Sequence, residues 1–390
     1  MLVIVAWAVA LTASLPAVVL AIECALGLFP RRPRASCAAA PPYIVLMPAH
    51  DEARGIAPVI AAILAELRPC DRLVVVAHNC TDATAAVARG LGAMVVERDD
   101  PSRRGKGHAL EFGRDFIAAA PSLRSARVVT VVDADCIPAA GALATIAAAA
   151  FERRAVVQGA YLMAPPHEAD AMVRVSCFAF LVKNLVRQAG LHRLAGMALL
   201  QGSGMAFPRS VFAERRWATG SLVEDLDMGL DLLLSGQSVV FAQDARFISG
   251  ASSRHGTRGQ RRRWEHGMLQ TAFRHVPKLL AAATRRKRGG LVLMALDLLI
   301  PPTVLLLVAL ALATLLVALT DGIGGLLVTV ASAQALLASA LFAAWRREAR
   351  DILPPASLWQ VPGYVLWKIP LLLQFVTRRE RAWVRTERDR

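Results

Sequence analysis

The chain has 390 residues, 55% hydrophobic and 19% charged, with 45 Lys and Arg against 30 Asp and Glu for a formal net charge of +15. A mean hydropathy of +0.45 excludes a disordered chain and argues against an ordinary soluble enzyme. A chain both apolar and basic suits either nucleic acid or a membrane with anionic headgroups, and the placement of the charges decides between them.

The apolar residues are clumped. One clump runs from Met1 to about Leu28, interrupted by Glu23; a second from Leu291 to about Leu319; a third from about Ile323 to Trp345. Each exceeds the ~20 residues that a helix needs to cross hydrocarbon. The sequence thus predicts a transmembrane helix at 1–30 and a transmembrane hairpin at 289–346. Basic residues flank these clumps: Arg31, Arg32 and Arg34; Arg285, Arg286, Lys287 and Arg288; Arg346, Arg347 and Arg350. By the positive-inside rule the N-terminus lies outside, and the segment between the first two clumps lies at the cytoplasmic face of the inner membrane. A fourth stretch, 354–377, is broken by Pro362, Lys368 and Pro370 and has arginines on both sides. A helix lying in the interface keeps both clusters inside and is preferred to a fourth crossing. A basic tail follows at 378–390. The charge excess is therefore mostly a membrane-orientation signal, and no nucleic-acid partner is expected. A cleaved signal peptide would carry its positive charge before the apolar run, so the first clump is read as an anchor.

The six cysteines, Cys24, Cys37, Cys70, Cys80, Cys136 and Cys177, form no Cys-x-x-Cys pair. They read as reduced, buried fillers.

Residues 41–277 read as the soluble domain, long enough for a full core. Continuous apolar runs at Tyr43–Met47, Leu73–Ala77, Met94–Val96 and Val128–Val132 predict buried strands. Helical spacing over Ile56–Leu67, Asp82–Arg89 and Lys106–Ala119 fills the gaps. The alternation predicts an α/β fold with a mostly parallel sheet flanked by helices. Ligands in such sheets bind at the carboxyl ends of the strands. The polar clusters fall there: His50-Asp51-Glu52, His78-Asn79-Cys80-Thr81-Asp82 and Asp133-Ala134-Asp135.

Four constellations carry chemistry. Asp133 and Asp135 follow a buried strand and suit Mg²⁺ or Mn²⁺, which take hard oxygen ligands; a solvated turn before Pro138 is the alternative. Glu224, Asp225 and Asp227 suit either an exposed helix start or a general base in a cleft. In Gln260-Arg261-Arg262-Arg263-Trp264, arginine can fork onto phosphate and an indole face can stack on a sugar, although a juxtamembrane basic helix explains the same residues. Arg104-Gly105-Lys106-Gly107 opens a helix and suits a phosphate, or merely a glycine-rich turn.

Taken in order, these segments resemble the membrane-bound inverting glycosyltransferases of family 2, the group of cellulose, chitin and poly-N-acetylglucosamine synthases. The resemblance runs through Met47-Pro48-Ala49-His50-Asp51-Glu52, Asn79-Cys80-Thr81-Asp82, Gly105-Lys106-Gly107 and Asp133-Ala134-Asp135. It continues through Gln201-Gly202-Ser203-Gly204, Glu224-Asp225 and the Gln260–Trp264 segment, and the terminal Trp383-Val384-Arg385-Thr386 looks similar too. It implies a GT-A fold and a nucleotide-diphosphate sugar donor. By the resemblance, Asp135 binds the metal, with Asp133 on the ribose or on metal-bound water. His50, Glu52, Asn79 and Asp82 line the nucleoside pocket. Lys106, Arg263 and Gln260 face the diphosphate. Asp225 is the general base, Trp264 stacks on the acceptor sugar, and Gln201, Gly202, Ser203 and Glu224 border the acceptor. Where many members have an Asp-Asp-Gly-Ser strand end, this chain has Ala77-His78-Asn79-Cys80, which weakens the inference of a uridine donor. The acceptor is a glycan or a lipid; the amphipathic stretch Phe178–Leu200 suits a face toward the bilayer. Other subunits of a polysaccharide synthesis or export system are candidate partners. Two other classes compete: a nucleotidyltransferase, which would not need Glu224-Asp225 or Gln260–Trp264, and a non-catalytic membrane subunit.

Overall fold

The computed structural model describes residues 2–30, 40–218, 221, 223–251, 254–321 and 324–367, with the backbone alone at 2–4, 254–263, 265, 266 and 321. In chain order the elements are α1 (Leu2–Leu28), β1 (Tyr43–Ala49), α2 (Ile56–Glu66), β2 (Arg72–His78), α3 (Thr84–Gly90), β3 (Met94–Arg98) and α4 (Lys106–Ala119). Then come β4 (Val128–Val131), β5 (Cys136–Pro138), α5 (Ala142–Arg153), β6 (Val156–Ala164), α6 (Ala171–Leu181) and α7 (Gln188–Ala195), the last two joined by a π-helical turn at Val182–Arg187. The remainder is β7 (Met205–Pro208), α8 (Arg209–Ala213), α9 (Glu224–Ser235), β8 (Val239–Gly250), α10 (Arg254–Arg286), α11 (Gly289–Leu298), α12 (Thr303–Asp321) and α13 (Gly325–Glu348).

These elements form two compact units, one of residues 32–164 and 198–250, the other of 1–31, 165–197 and 251–390. The sequence boundaries 41–277 had joined 165–197 and 251–277 to the catalytic domain; both segments group with the apolar helices.

The first unit holds one eight-stranded sheet in the order β3-β2-β1-β4-β7-β6-β8-β5. β3, β2, β1 and β4 run parallel, as does the β6–β8 pair, while β7 is antiparallel to both its neighbours and β5 to β8. β1, β2 and β4 are apolar runs of the sequence because helices cover both faces, whereas β3, at the sheet edge, is only half-buried and not the buried strand that Met94–Val96 predicts. Ile44 to Met47, Val74 to Val76, Val128 and Val129 are all fully buried. This is the α/β fold, a sheet flanked by helices, that the alternation of strands and helices predicts. Its parallel half places residues 50–52, 79–82 and 133–135 just past the carboxyl ends of β1, β2 and β4.

Among the described residues of the second unit, three helices are long and apolar enough to cross a membrane: Val5–Leu28, Thr303–Thr320 and Gly325–Glu348. One correction concerns the apolar run 291–319. It forms two helices, α11 and α12, because Pro301 and Pro302 lack amide donors and push Ile300 away from helical geometry. In the stretch 354–377, Pro355–Gln360 is a 3₁₀ helix and 361–367 is α-helical. The rest of that stretch, the tail 378–390 and Arg31, Arg32, Arg34 and Cys37 lie outside the described residues. A charge cluster ties this unit together. Arg187, at the end of the π-turn, donates from Nε to Asp297 Oδ1 at 2.7 Å and from Nη2 to the Asp297 carbonyl at 2.6 Å. Its Nε lies 3.4 Å from Glu23 Oε2. Glu23, the one charge in the first apolar clump, is therefore paired and buried, as a charge among apolar helices must be.

A second correction concerns the cysteines. Cys24, Cys136 and Cys177 are buried free thiols, but Cys70 is exposed and Cys80 half-buried, so neither is a buried filler.

Candidate active site

Lys106 is the hub. As the first residue of α4 it stands where the helix dipole is positive, and Gly105 before it has φ +111°. Its ammonium pairs with the Asp133 carboxylate and donates to the Gly202 carbonyl at 2.6 Å. Burial by itself would lower the Lys106 pKa. The charges of Asp133, then Asp225 and Asp135, outweigh it and hold the ammonium above its usual value. Four groups from three parts of the chain, the start of α4, the end of β4 and the start of α9, thus share one electrostatic neighbourhood. Tyr161 lies in the same field: burial raises its phenol well above the usual range, and Asp135 and Asp133 add to the effect.

The loop 201–204 completes this wall. Gly202 has φ +96°, and a Cβ there would lie 3.1 Å from Asp225 Oδ2 and 3.8 Å from Lys106 Nζ. A side chain at 202 would occupy the space between the two groups. Ser203, fully buried, accepts at Oγ from the Asp133 amide at 3.1 Å. Glu224 and Asp225 begin α9, where acids suit the dipole. A Cβ on Gly107 would lie 2.6 Å from Glu224 Oε2, so α4 and α9 meet closely at their N-terminal ends.

One residue of this wall escaped the sequence reading. Gln158 is fully buried in β6. Its Nε2 donates to the Ser203 carbonyl and its Oε1 accepts from the Gln201 amide, both at 2.8 Å. Gln201 Oε1 in turn accepts from the Tyr161 amide at 3.3 Å. Gln158 therefore fixes the loop that carries Gly202 and Ser203. The signal available was a lone amide inside the apolar run Val156-Val157-Gln158-Gly159.

The predicted nucleoside residues gather at the ends of β1 and β2. His50 donates from Nδ1 to the His78 carbonyl at 2.9 Å. Asp82 accepts from the amides of Ala53 at 3.0 Å and Thr84 at 2.9 Å, and the Glu52 amide donates to Thr84 Oγ1 at 2.8 Å. Asn79, at φ +53°, accepts from the Asp100 amide at 2.5 Å and donates to the Asp100 carbonyl at 3.0 Å. Asp82 and Asn79 thus brace three loops against one another.

The third predicted group falls in the other unit. Trp264 packs its ring on Phe180, centroids 5.7 Å apart. Gln260 and Arg263 lie on α10, and their side chains lie outside the described residues.

The donor chemistry fits a divalent ion. Three carboxylates, Asp133, Asp135 and Asp225, act on one ammonium, which leaves an excess of negative charge. Hard oxygen donors beside such an excess suit Mg²⁺ or Mn²⁺.

A family model described as "Glycosyltransferase like family 2" matches residues 41–286. Among solved structures, the mannosyltransferase PcManGT from Pyrobaculum calidifontis, in complex with GDP-Man and Mn²⁺, is similar at 18% identity and a TM-score of 0.59, covering 97% of this chain and 100% of that one. Glucosyl-3-phosphoglycerate synthase from Mycobacterium tuberculosis, in complex with Mn²⁺, UDP and phosphoglyceric acid, matches at 20% identity and a TM-score of 0.40, covering 59% of this chain and 78% of that one. No curated protein matches the chain. At these identities the structural likeness concerns the fold.

Proposed function

The chain belongs to the glycosyltransferase-like family 2, and from that premise we propose that it transfers a sugar, with inversion, from a nucleotide-diphosphate sugar to a glycan or lipid acceptor at the cytoplasmic face of the membrane. The observation that carries this reading is the gathering of Asp133, Asp135 and Asp225 around Lys106.

In this reading Asp225 accepts the proton of the acceptor hydroxyl as its oxygen attacks the sugar C1 from the face opposite the leaving group. The C1–O bond to the diphosphate breaks, and the diphosphate leaves with its electron pair. Lys106, held cationic by its acidic neighbours, faces the charge that grows there. An interaction that strengthens as the bond breaks lowers the barrier without merely tightening substrate binding. Asp133 and Asp135 would hold the divalent ion, which when bound supplies further positive charge to the diphosphate. Gln158, through Gln201 and Ser203, holds the loop whose Gly202 stands beside both the base and the ammonium.

The resemblance favours a uridine donor, whereas the PcManGT structure holds GDP-Man, so both nucleotides belong in the test. The full chain is purified in detergent and given a panel of UDP- and GDP-sugars with Mg²⁺ or Mn²⁺, lipid and oligosaccharide acceptors being supplied. Nucleoside diphosphate release with one donor, abolished by EDTA and by Asp135→Ala, is the expected result. Full activity in chelator contradicts the metal role of Asp133 and Asp135, and absence of any nucleotide binding overturns the reading. The length of the product separates single addition from polymerisation.

A further inference from the structure

The last turns of α1, α7 and α13 meet at one end of the apolar unit. Arg193 of α7 donates to the carbonyls of Leu26 and Phe29, and Arg347 of α13 donates to that of Leu28. The frame around them is tight. A Cβ on Gly190 would run into the Glu23 carbonyl, so α1 and α7 touch backbone to backbone.

Two guanidiniums brought together in this way repel. Arg193 is held below its usual pKa, first by partial burial and then by the charge of Arg347. Carboxylates do not offset this. Among the described residues Arg193 has no ion pair, and Arg347 has its chain neighbour Glu348, 3.6 Å from Nε. The carbonyls that end α1 carry about half a negative charge between them, against two positive ones. They also use only part of the donor capacity of two guanidiniums.

The surface beside the pair is apolar. On α1, Ile22 and Phe29 are exposed on the face that carries Leu26, being four residues before it and three after. On α13, exposed Phe342 precedes the arginine by roughly one and a half turns and packs on Trp345, centroids 5.4 Å apart. α1 and α13 are both long and apolar enough to cross a membrane. With these helices in a bilayer, the arginine pair stands where headgroups meet hydrocarbon.

We propose that Arg193 and Arg347 form a headgroup site for an anionic phospholipid, the two guanidiniums taking its phosphate and its acyl chains lying along Ile22 and Phe342. Charge complementarity selects this occupant. A guanidinium fork matches phosphate oxygens. A zwitterionic lipid would bring a cation back to a site that already has an excess, and a soluble phosphate would leave the apolar surface uncovered. The carbonyls of α1 orient both forks in advance, so less side-chain freedom is lost on binding.

Native mass spectrometry counts the bound lipid. The full chain, delipidated in a mild detergent, is titrated in parallel with phosphatidylglycerol, phosphatidylcholine and glycerol phosphate. One phosphatidylglycerol per chain should be retained, about tenfold more tightly than phosphatidylcholine, and glycerol phosphate should not be retained. Arg193→Gln and Arg347→Gln should each weaken phosphatidylglycerol binding roughly tenfold, as expected for losing charge-assisted hydrogen bonds. Arg285→Gln, which removes an exposed charge from the end of α10, should leave binding within about twofold. Circular dichroism confirms that the variants are folded. Equal binding of the two lipids overturns the proposal, as does glycerol phosphate held as tightly as the lipid. So does an equal loss in Arg285→Gln, which would mean diffuse attraction by a basic chain, or unchanged binding in both arginine-pair variants. The selectivity of the unaltered chain decides the matter even where a variant fails to fold. None of these readouts depends on transferase activity, so failure here is distinct from failure of the functional reading.

Discussion

Gly202→Ala tests whether the 201–204 loop sets the catalytic geometry. Two costs follow from the structure. The backbone at φ +96° lies where a side chain is strained by about 1–3 kcal/mol. The new Cβ would also stand 3.1 Å from Asp225 Oδ2, so the carboxylate or the loop must give by a few tenths of an ångström. The Gly202 carbonyl moves with its residue, and it is the acceptor for Lys106 at 2.6 Å. Both groups assigned to the chemistry are therefore displaced together. A loss of about 2 kcal/mol should lower the thermal midpoint by roughly 4–8 °C for a unit of this size. A misplacement of about 1 Å can cost ~100-fold in rate, so turnover should fall by roughly 10- to 100-fold. The assay is nucleoside diphosphate release at saturating donor, paired with a thermal melt in the same detergent. Gly90→Ala is the control, since a Cβ there meets nothing within 4 Å and φ is ordinary. It should leave turnover unchanged and, if anything, raise stability by up to about 1 kcal/mol. A Gly202→Ala protein that melts earlier but turns over within twofold of wild type would refute the reasoning, because the loop would then be strained without holding Asp225.

Three further outcomes are expected. Asp225→Asn should reduce turnover by at least ~100-fold while donor binding measured by calorimetry persists; near-normal turnover removes Asp225 from the role of base. Trp264→Ala should raise the KM for acceptor more than that for donor, and an unchanged acceptor KM would reduce Trp264 to its packing on Phe180. Arg187→Ala should cost about 3–5 kcal/mol of stability by stranding Glu23 and Asp297, whereas Arg187→Ala combined with Glu23→Gln and Asp297→Asn should recover part of that loss; an unaltered unfolding midpoint in the single variant would show that the cluster contributes nothing.

What could be read in the sequence was local. Tyr43–Met47, Leu73–Ala77 and, but for Thr130, Val128–Val132 are apolar because both faces of their strands are buried, and α4 runs from Lys106 to Ala119 as its spacing predicts. The gathering of Lys106, Asp133 and Asp225 could be anticipated through the ordered motifs, but Gln158 could not. A single amide in an apolar strand has no periodic signature, and its meaning arises only when β6 pairs with β7 and brings the 201–204 loop onto it. The helical break at Pro301-Pro302 was hidden for a different reason. Counting apolar residues registers burial and not backbone donors, so two prolines pass as part of a span. Glu23 makes the same point from the other side. Along the chain it is a blemish in an apolar clump; in the fold it meets Arg187 and Asp297, each isolated in its own stretch of sequence. A charge that apolar surroundings would reject is retained when a distant partner neutralises it, and that requirement itself specifies which helices must lie side by side.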